Sequence, residues 1–187
     1  MITNKLIKKV EDFVYEESEK HGAPSEFVIK LSNEKGQFLA EKLGANKKIV
    51  LLGTLLMDCK LGKAFKENKV PNHIEMSMVA AKELLVKDKA ITDKEKNIVL
   101  NCVLQHHGSK KFYSLESEIV CNADCYRFLS VKGVFGQIRT FFEIPYEDMV
   151  KIFLDKVDEK WKALSLDICK RELKPQYKAI KSLLNEF

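Results

Sequence analysis

Ile49-Val50-Leu51-Leu52-Gly53-Thr54-Leu55-Leu56-Met57-Asp58 is the stretch of sequence that decides the fold. It is apolar on every face of a helix, so it predicts a short helix buried at the centre of the molecule. Gly53 has no side chain and would let a neighbouring helix approach closely. Asp58 ends the stretch, where the helix dipole is negative and burial disfavours a charge. We therefore expect a cation beside Asp58, either a metal ion or a basic side chain.

On both sides of this stretch, apolar residues recur at three- and four-residue spacing, and no segment alternates with period two. The pattern therefore predicts an all-α protein. The helices before residue 130 are expected to start near Leu6, after Ser25, near His73, at the capping box Thr92-x-x-Glu95, and after Ser114.

Three more helices are predicted in the C-terminal part, from Val134 to Phe142, over residues 146–164, and from Ser165 to the end. Pro175 should kink or break the last of them. No repeat or long linker divides the chain, so we expect a single domain over residues 1–187.

The composition is that of an ordinary globular protein, with 45% apolar and 32% charged residues among 187. The net charge of +5 is spread along the chain without interleaved aromatics, so nucleic-acid binding is disfavoured. Five cysteines without a C-x-x-C pair predict buried thiols in a reducing compartment. The N-terminus has no apolar segment typical of a signal peptide, and the apolar run Ile49–Met57 is too short to span a bilayer. We expect a cytoplasmic protein that does not bind membranes.

Three of the four histidines lie between Asp58 and Asp124. His73 starts a predicted helix, and His106 lies at the middle of the apolar stripe of the next one, so it should point inward. His107 lies at the edge of that stripe and should be more exposed. Imidazoles and carboxylates on successive helices are the ligands of a buried divalent-metal site, although a single inward histidine is more often a hydrogen-bonded core residue.

Four segments together resemble the HD-domain superfamily. They are Leu55-Leu56-Met57-Asp58, Asn72-His73-Ile74-Glu75-Met76-Ser77, Val103-Leu104-Gln105-His106-His107-Gly108 and Glu118-Ile119-Val120-Cys121-Asn122-Ala123-Asp124. The resemblance covers about residues 25–130, and the C-terminal helices, residues 131–187, resemble those of small stand-alone members. It implies an all-α HD-like bundle and a metal-dependent phosphohydrolase that acts on nucleotides or other phosphate esters.

The resemblance also implies a ligand set. In two-metal members, the first ion takes a first histidine, the His-Asp doublet and the last aspartate, and the second ion takes the doublet aspartate and two middle histidines. Carried over to this chain, the metal ligands are Asp58, His73, His106 and Asp124, with Asp58 and Asp124 also catalytic. The ion would be Mn, Ni, Mg, Zn or Fe. Lys60, Lys63, Lys110 and Arg127 are the candidates for binding the phosphate.

The chain departs from the family pattern at the first ion. Met57 replaces the histidine of the doublet, and no histidine lies near Val28, where the first one is expected. His21 lies about two turns too early. A thioether is a soft ligand that replaces imidazole poorly on such ions. We therefore expect the first-ion position to be empty or filled by side chains, and one ion or none to be bound.

Two functions stay open at this point. One is a phosphohydrolase with weak or lost activity and a small phosphate-containing ligand. The other is a non-catalytic HD-fold protein that binds a nucleotide, an ion or a protein partner through the remodelled cleft. Fold alone does not decide between them, and the sequence does not give the oligomeric state.

Overall fold

Helices make up nearly all of the regular structure in the computed structural model, which describes residues 1–139 and 144–186. Within these residues there is no strand, so the predicted all-α class is confirmed. The α-helices in chain order are α1 Asn4–His21, α2 Glu26–Leu43, α3 Lys47–Leu56, α4 Leu61–Lys66, α5 His73–Val86, α6 Asp93–Gln105, α7 Leu115–Leu129, α8 Val131–Ile138, α9 Tyr146–Ala163 and α10 Asp167–Leu184.

The central helix is α3, as its apolar sequence predicts. It packs against α1, α2, α6 and α7, and its residues from Leu52 to Leu56 are all buried. Gly53 makes the close approach possible, since a Cβ added there would lie 2.7 Å from Cys102 Cβ on α6 and 2.8 Å from Val120 Cγ2 on α7. The helices that carry His106 and Asp124 are thereby held directly against α3.

Local capping fixes where these helices begin. Thr92 and Glu95 form the predicted capping box, in which the Thr92 side chain accepts from the Glu95 N–H and the Glu95 carboxylate accepts from the Thr92 N–H. Ser114 caps α7 in the same way with Ser117. Ser25 is the N-cap residue of α2, but its side chain makes no capping hydrogen bond.

Two features of the helix pattern differ from the prediction. The short helix α4 lies between Asp58 and His73, where the sequence predicts no helix because Gly and Lys make the helical pattern weak. Pro175, predicted to kink or break the last helix, lies inside α10, which continues to Leu184, so the helix is not broken there. Helix α8 covers the first part of the predicted segment from Val134 to Phe142, and residues 140–143 lie outside the described residues.

The five cysteines are all buried and free, as the sequence predicts. None of the helices in the described part of the chain combines the length and the apolar character that a bilayer crossing requires.

Candidate metal centre

The four predicted ligands come from four different elements and lie close together. Asp58 lies in the turn after α3, His73 is the first residue of α5, His106 is the C-cap residue of α6, and Asp124 is on α7. All four are buried, with His106 and Asp124 completely so. Burying these polar groups costs free energy that ordinary core packing would not require.

Asp58 Oδ1 is the point on which the histidines converge. His106 Nε2 lies 3.3 Å from it and His73 Nε2 3.4 Å. The other nitrogen of each ring contacts a backbone carbonyl: His106 Nδ1 lies 2.7 Å from Val103 O and His73 Nδ1 lies 2.8 Å from Val70 O. A carbonyl only accepts, so each Nδ1 carries a proton, and the Nε2 of each ring faces Asp58 Oδ1.

When both rings are neutral, these hydrogen bonds at Nδ1 leave three acceptor atoms facing one another without a donor between them. Asp58 Oδ1 and His106 Nε2 are buried atoms with no hydrogen-bond partner. Such an arrangement is unfavourable unless a cation lies among the three atoms. Two imidazoles and a carboxylate, with both rings oriented by backbone carbonyls, fit one divalent metal ion.

His107 extends this group. Together with Asp58, His73 and His106 it forms a set whose potential ligand atoms all lie within 4.8 Å of one another. Its side chain is 30% exposed, against 0% for His106, as the position of the two residues on the helix predicts. His107 Nδ1 lies 3.1 Å from Glu159 Oε1 on α9, and burial lowers the pKa of the ring, so it is neutral near pH 7.

Asp124 contacts two basic side chains. Arg127, one turn further along α7, donates from the same Nη1 to Asp124 Oδ1 at 2.8 Å and to Asp58 Oδ2. Lys160 Nζ on α9 lies 2.6 Å from Asp124 Oδ2 and is only 2% exposed. The cation that the sequence predicts beside Asp58 therefore includes the guanidinium of Arg127.

These contacts keep the buried groups charged. Burial raises the pKa of Asp58, but the guanidinium of Arg127 beside it outweighs this and lowers the pKa well below its usual range. Burial likewise raises the pKa of Asp124, and Lys160 and Arg127 lower it by more. For Lys160 burial lowers the pKa, while Asp124 raises it above its usual value.

Lys160 and Glu159 are the site residues that the sequence reasoning missed. They lie 36 and 35 residues after Asp124, beyond the segments that resemble the family. A signal was present, because Val150, Phe153, Val157 and Lys160 follow one another at three- and four-residue spacing and all are buried. A lysine in line with an apolar face indicates a buried partner.

Of the four predicted phosphate-binding residues, Arg127 lines a cavity that His73 and His107 also line. Lys60 Nζ lies 2.8 Å from Glu17 Oε2, and Lys63 is half-exposed near Glu67. Lys110 is exposed. These three lysines are not among the described residues that line the cavity.

A cavity of about 500 Å³ opens over the histidines. Its polar lining includes Asp58, His73, His107, Arg127, Lys156 and Lys160. Its apolar walls come from Val28, Leu61, Phe65, Phe128, Ile144 and Ile152. Val28, which occupies the region where the family's first histidine is expected, thus borders the same cavity as Asp58.

Comparison with solved structures gives the same fold over nearly the whole chain. A predicted HD-superfamily hydrolase from an uncultured Thermotogales bacterium has a TM-score of 0.68 at 14% identity, covering 96% of this chain and 90% of that one. An HD-superfamily hydrolase from Bacillus thuringiensis has a TM-score of 0.61 at 18% identity, covering 98% and 95%. The chain therefore has the HD-superfamily hydrolase fold that the four sequence segments indicate.

Comparison of sequences gives a shorter match. Ribonuclease Y of Finegoldia magna is 38% identical over 96 residues, which are 51% of this chain and 16% of that protein. Ribonuclease Y of Helicobacter acinonychis is 30% identical over 86 residues, 46% of this chain and 14% of that protein. The likeness thus spans about a sixth of the length of these relatives. No family model matches the chain.

Proposed function

From its HD-superfamily fold, we propose that this protein is a single-ion phosphohydrolase of low turnover that acts on a small phosphate ester. Its ion would be held by Asp58, His73 and His106. The observation that carries the proposal is the convergence of Asp58 Oδ1 with two histidine Nε2 atoms at 3.3 and 3.4 Å, both rings being fixed through Nδ1.

A divalent ion at these ligands would lower the pKa of a bound water and polarise a phosphoryl oxygen. Arg127 lies at the same cavity, with its Nε unpartnered, and would contact the phosphate. Neutral His107, whose Nδ1 faces Glu159, keeps the Nε2 lone pair for accepting a proton from the attacking water. We assign to Asp124 the holding of Arg127 and Lys160, since both of its oxygens already contact these side chains.

Charge supports a phosphate monoester as the substrate. The three carboxylates Asp58, Asp124 and Glu159 are matched by Arg127, Lys156 and Lys160 in direct ion pairs. Histidines that ligate a metal ion are neutral, so the charges of the three carboxylates and three basic side chains cancel, and a bound divalent ion would leave a surplus charge of +2. A monoester dianion neutralises that surplus, whereas a diester carries a single negative charge.

The cavity walls support an apolar organic group on that ester. Residues from α2, α4, α7 and α9 face the cavity with aliphatic or aromatic side chains. A volume of about 500 Å³ is that of a site for a small molecule. Two alternatives remain. The likeness to Ribonuclease Y suggests RNA phosphodiesters as a competing substrate. Basic side chains that lie between Asp58 and Asp124 favour binding of a phosphate ligand without hydrolysis.

The proposal is tested by titrating the metal-free protein with Mn²⁺ in a calorimeter and assaying hydrolysis of 4-nitrophenyl phosphate and its bis-ester. We expect one ion per chain and slow hydrolysis that prefers the monoester. His106→Ala should weaken Mn²⁺ binding at least about tenfold, as loss of a positioned ligand does. His21→Ala is the matched control, because His21 lies outside the histidine cluster and pairs with Glu17.

Unchanged Mn²⁺ affinity in His106→Ala would show that the ligands are wrongly assigned. One bound ion without any turnover would select the non-catalytic alternative. Faster cleavage of an RNA oligonucleotide than of either nitrophenyl ester would replace the monoester by RNA.

A further inference from the structure

Two cationic side chains, Arg127 and Lys160, contact the buried aspartates Asp58 and Asp124. The proposed reaction does not require cationic side chains between these two carboxylates. Asp58 Oδ2 and Asp124 Oδ1 both accept from Nη1 of Arg127, and Asp124 Oδ2 faces Lys160 Nζ at 2.6 Å. Arg127 and Lys160 are 7% and 2% exposed. Two carboxylates from different elements would otherwise repel each other at this depth.

We infer that Arg127, together with Lys160, takes the place of a second metal ion between Asp58 and Asp124 and limits the centre to one ion. The two side chains carry together the charge of one divalent cation. They also occupy the carboxylate oxygens that such a cation would need, because Nη1 bridges the two aspartates. The inference rests on the proposed function only for the ion at the histidines.

A bridging guanidinium differs from an ion in one respect that bears on ligand binding. An ion presents open coordination positions, whereas Arg127 presents the donors that the aspartates leave unused. Its Nε is buried, lacks a hydrogen-bond partner and belongs to a side chain that lines the cavity. Arg127 would therefore bind phosphate oxygens even in the metal-free protein.

The test removes the guanidinium and asks whether an ion replaces it. Arg127→Ala frees an oxygen on each aspartate and leaves Asp124 with Lys160 but Asp58 without its basic partner, so we expect the metal-free variant to be destabilised and to gain stability in Mn²⁺. Calorimetric titration should give one more ion per chain than the wild type. Arg127→Lys is the matched control, because it keeps a positive charge near the same carboxylates and should gain no ion.

A second pair of variants makes the result specific to this position. Val28 lines the same cavity as Asp58 and Arg127. Val28→His combined with Arg127→Ala adds an imidazole to the cavity that Asp58 lines and should tighten the additional ion about tenfold or more. Val28→His alone should not add an ion, because Arg127 is still in place.

The count of added ions separates this inference from the proposed function. A wild type without bound Mn²⁺ contradicts the proposed function, yet a gain of one ion in Arg127→Ala would still support the role of Arg127. An Arg127→Ala protein that gains no ion overturns the inference. So does one that stays unfolded in millimolar Mn²⁺, since the ion should supply the missing charge.

Discussion

At the scale of single residues, the sequence identified the side chains that converge on Asp58 but not the lysine that faces Asp124. Asp58, His73 and His106 could be predicted because each lies at a definite point of a helical pattern, and the structure brings them together within 3.4 Å of Asp58 Oδ1. Lys160 could not be placed opposite Asp124, because that pairing depends on how α9 packs against α7. Periodicity within one helix does not report its partner.

The buried ion pair of Lys160 gives a prediction at this scale. Lys160→Met keeps the length and apolar stem of the side chain but leaves Asp124 Oδ2 without its cation. Breaking a buried pair on one side costs about 3–5 kcal/mol, so the free energy of unfolding at pH 7 should fall by that order. Urea denaturation measures it. Lys162→Met, an exposed lysine two residues further along the same helix, is the control and should change stability by less than about 0.5 kcal/mol.

At the scale of elements, the predicted helices before residue 130 match the structure because caps and apolar faces agree there. The capping box at Thr92 and the apolar run of α3 are both visible in the sequence and both present in the structure. Helix α4 was missed because six residues are too few to show a period. Helix α10 passes Pro175, so its buried apolar face at Cys169, Leu173 and Ile180 outweighs the local cost of proline.

The contact of α3 with α6 and α7 gives the prediction for this scale. Gly53→Ala would place a Cβ 2.7 Å from Cys102 Cβ and 2.8 Å from Val120 Cγ2, so the helices must separate. We expect a loss of about 1–3 kcal/mol in the free energy of unfolding and weaker Mn²⁺ binding, because α6 carries His106. Gly36→Ala is the graded comparison: its added Cβ meets Thr54 Cγ2 and Val50 Cγ1 at 3.0 Å. An equal or greater loss at Gly36 would contradict this explanation.

At the scale of the whole molecule, the cavity joins distant parts of the chain. Its described lining runs from Gly22 to Lys160, so residues before α2 and residues on α9 share one space with the histidines. The sequence predicted the ligand positions within residues 25–130. It could not predict the wall supplied by α9, because a cavity is a product of packing and leaves no motif.

This shared wall leads to a prediction about ligand binding. Ile152→Trp would enlarge a side chain that lines the cavity, and should weaken binding of an aryl phosphonate at least about tenfold while leaving inorganic phosphate binding nearly unchanged. Leu154→Trp, on the same helix and not among the described lining residues, is the control. Isothermal titration with both ligands measures the effect. Equal weakening for both ligands would mean that the apolar wall does not recognise the organic group.

The ion pairs between carboxylates and basic side chains around Arg127 affect whether the protein needs a metal ion in order to fold in a cell. In a centre built only from anionic ligands, the nascent chain depends on a metal supply to reach its folded form. Here Asp124 already has Arg127 and Lys160, and Asp58 has Arg127. The folded chain is thus electroneutral at its centre before any ion arrives. Metal scarcity would then leave a folded, metal-free protein, and an ion that arrives later would complete the centre without new synthesis.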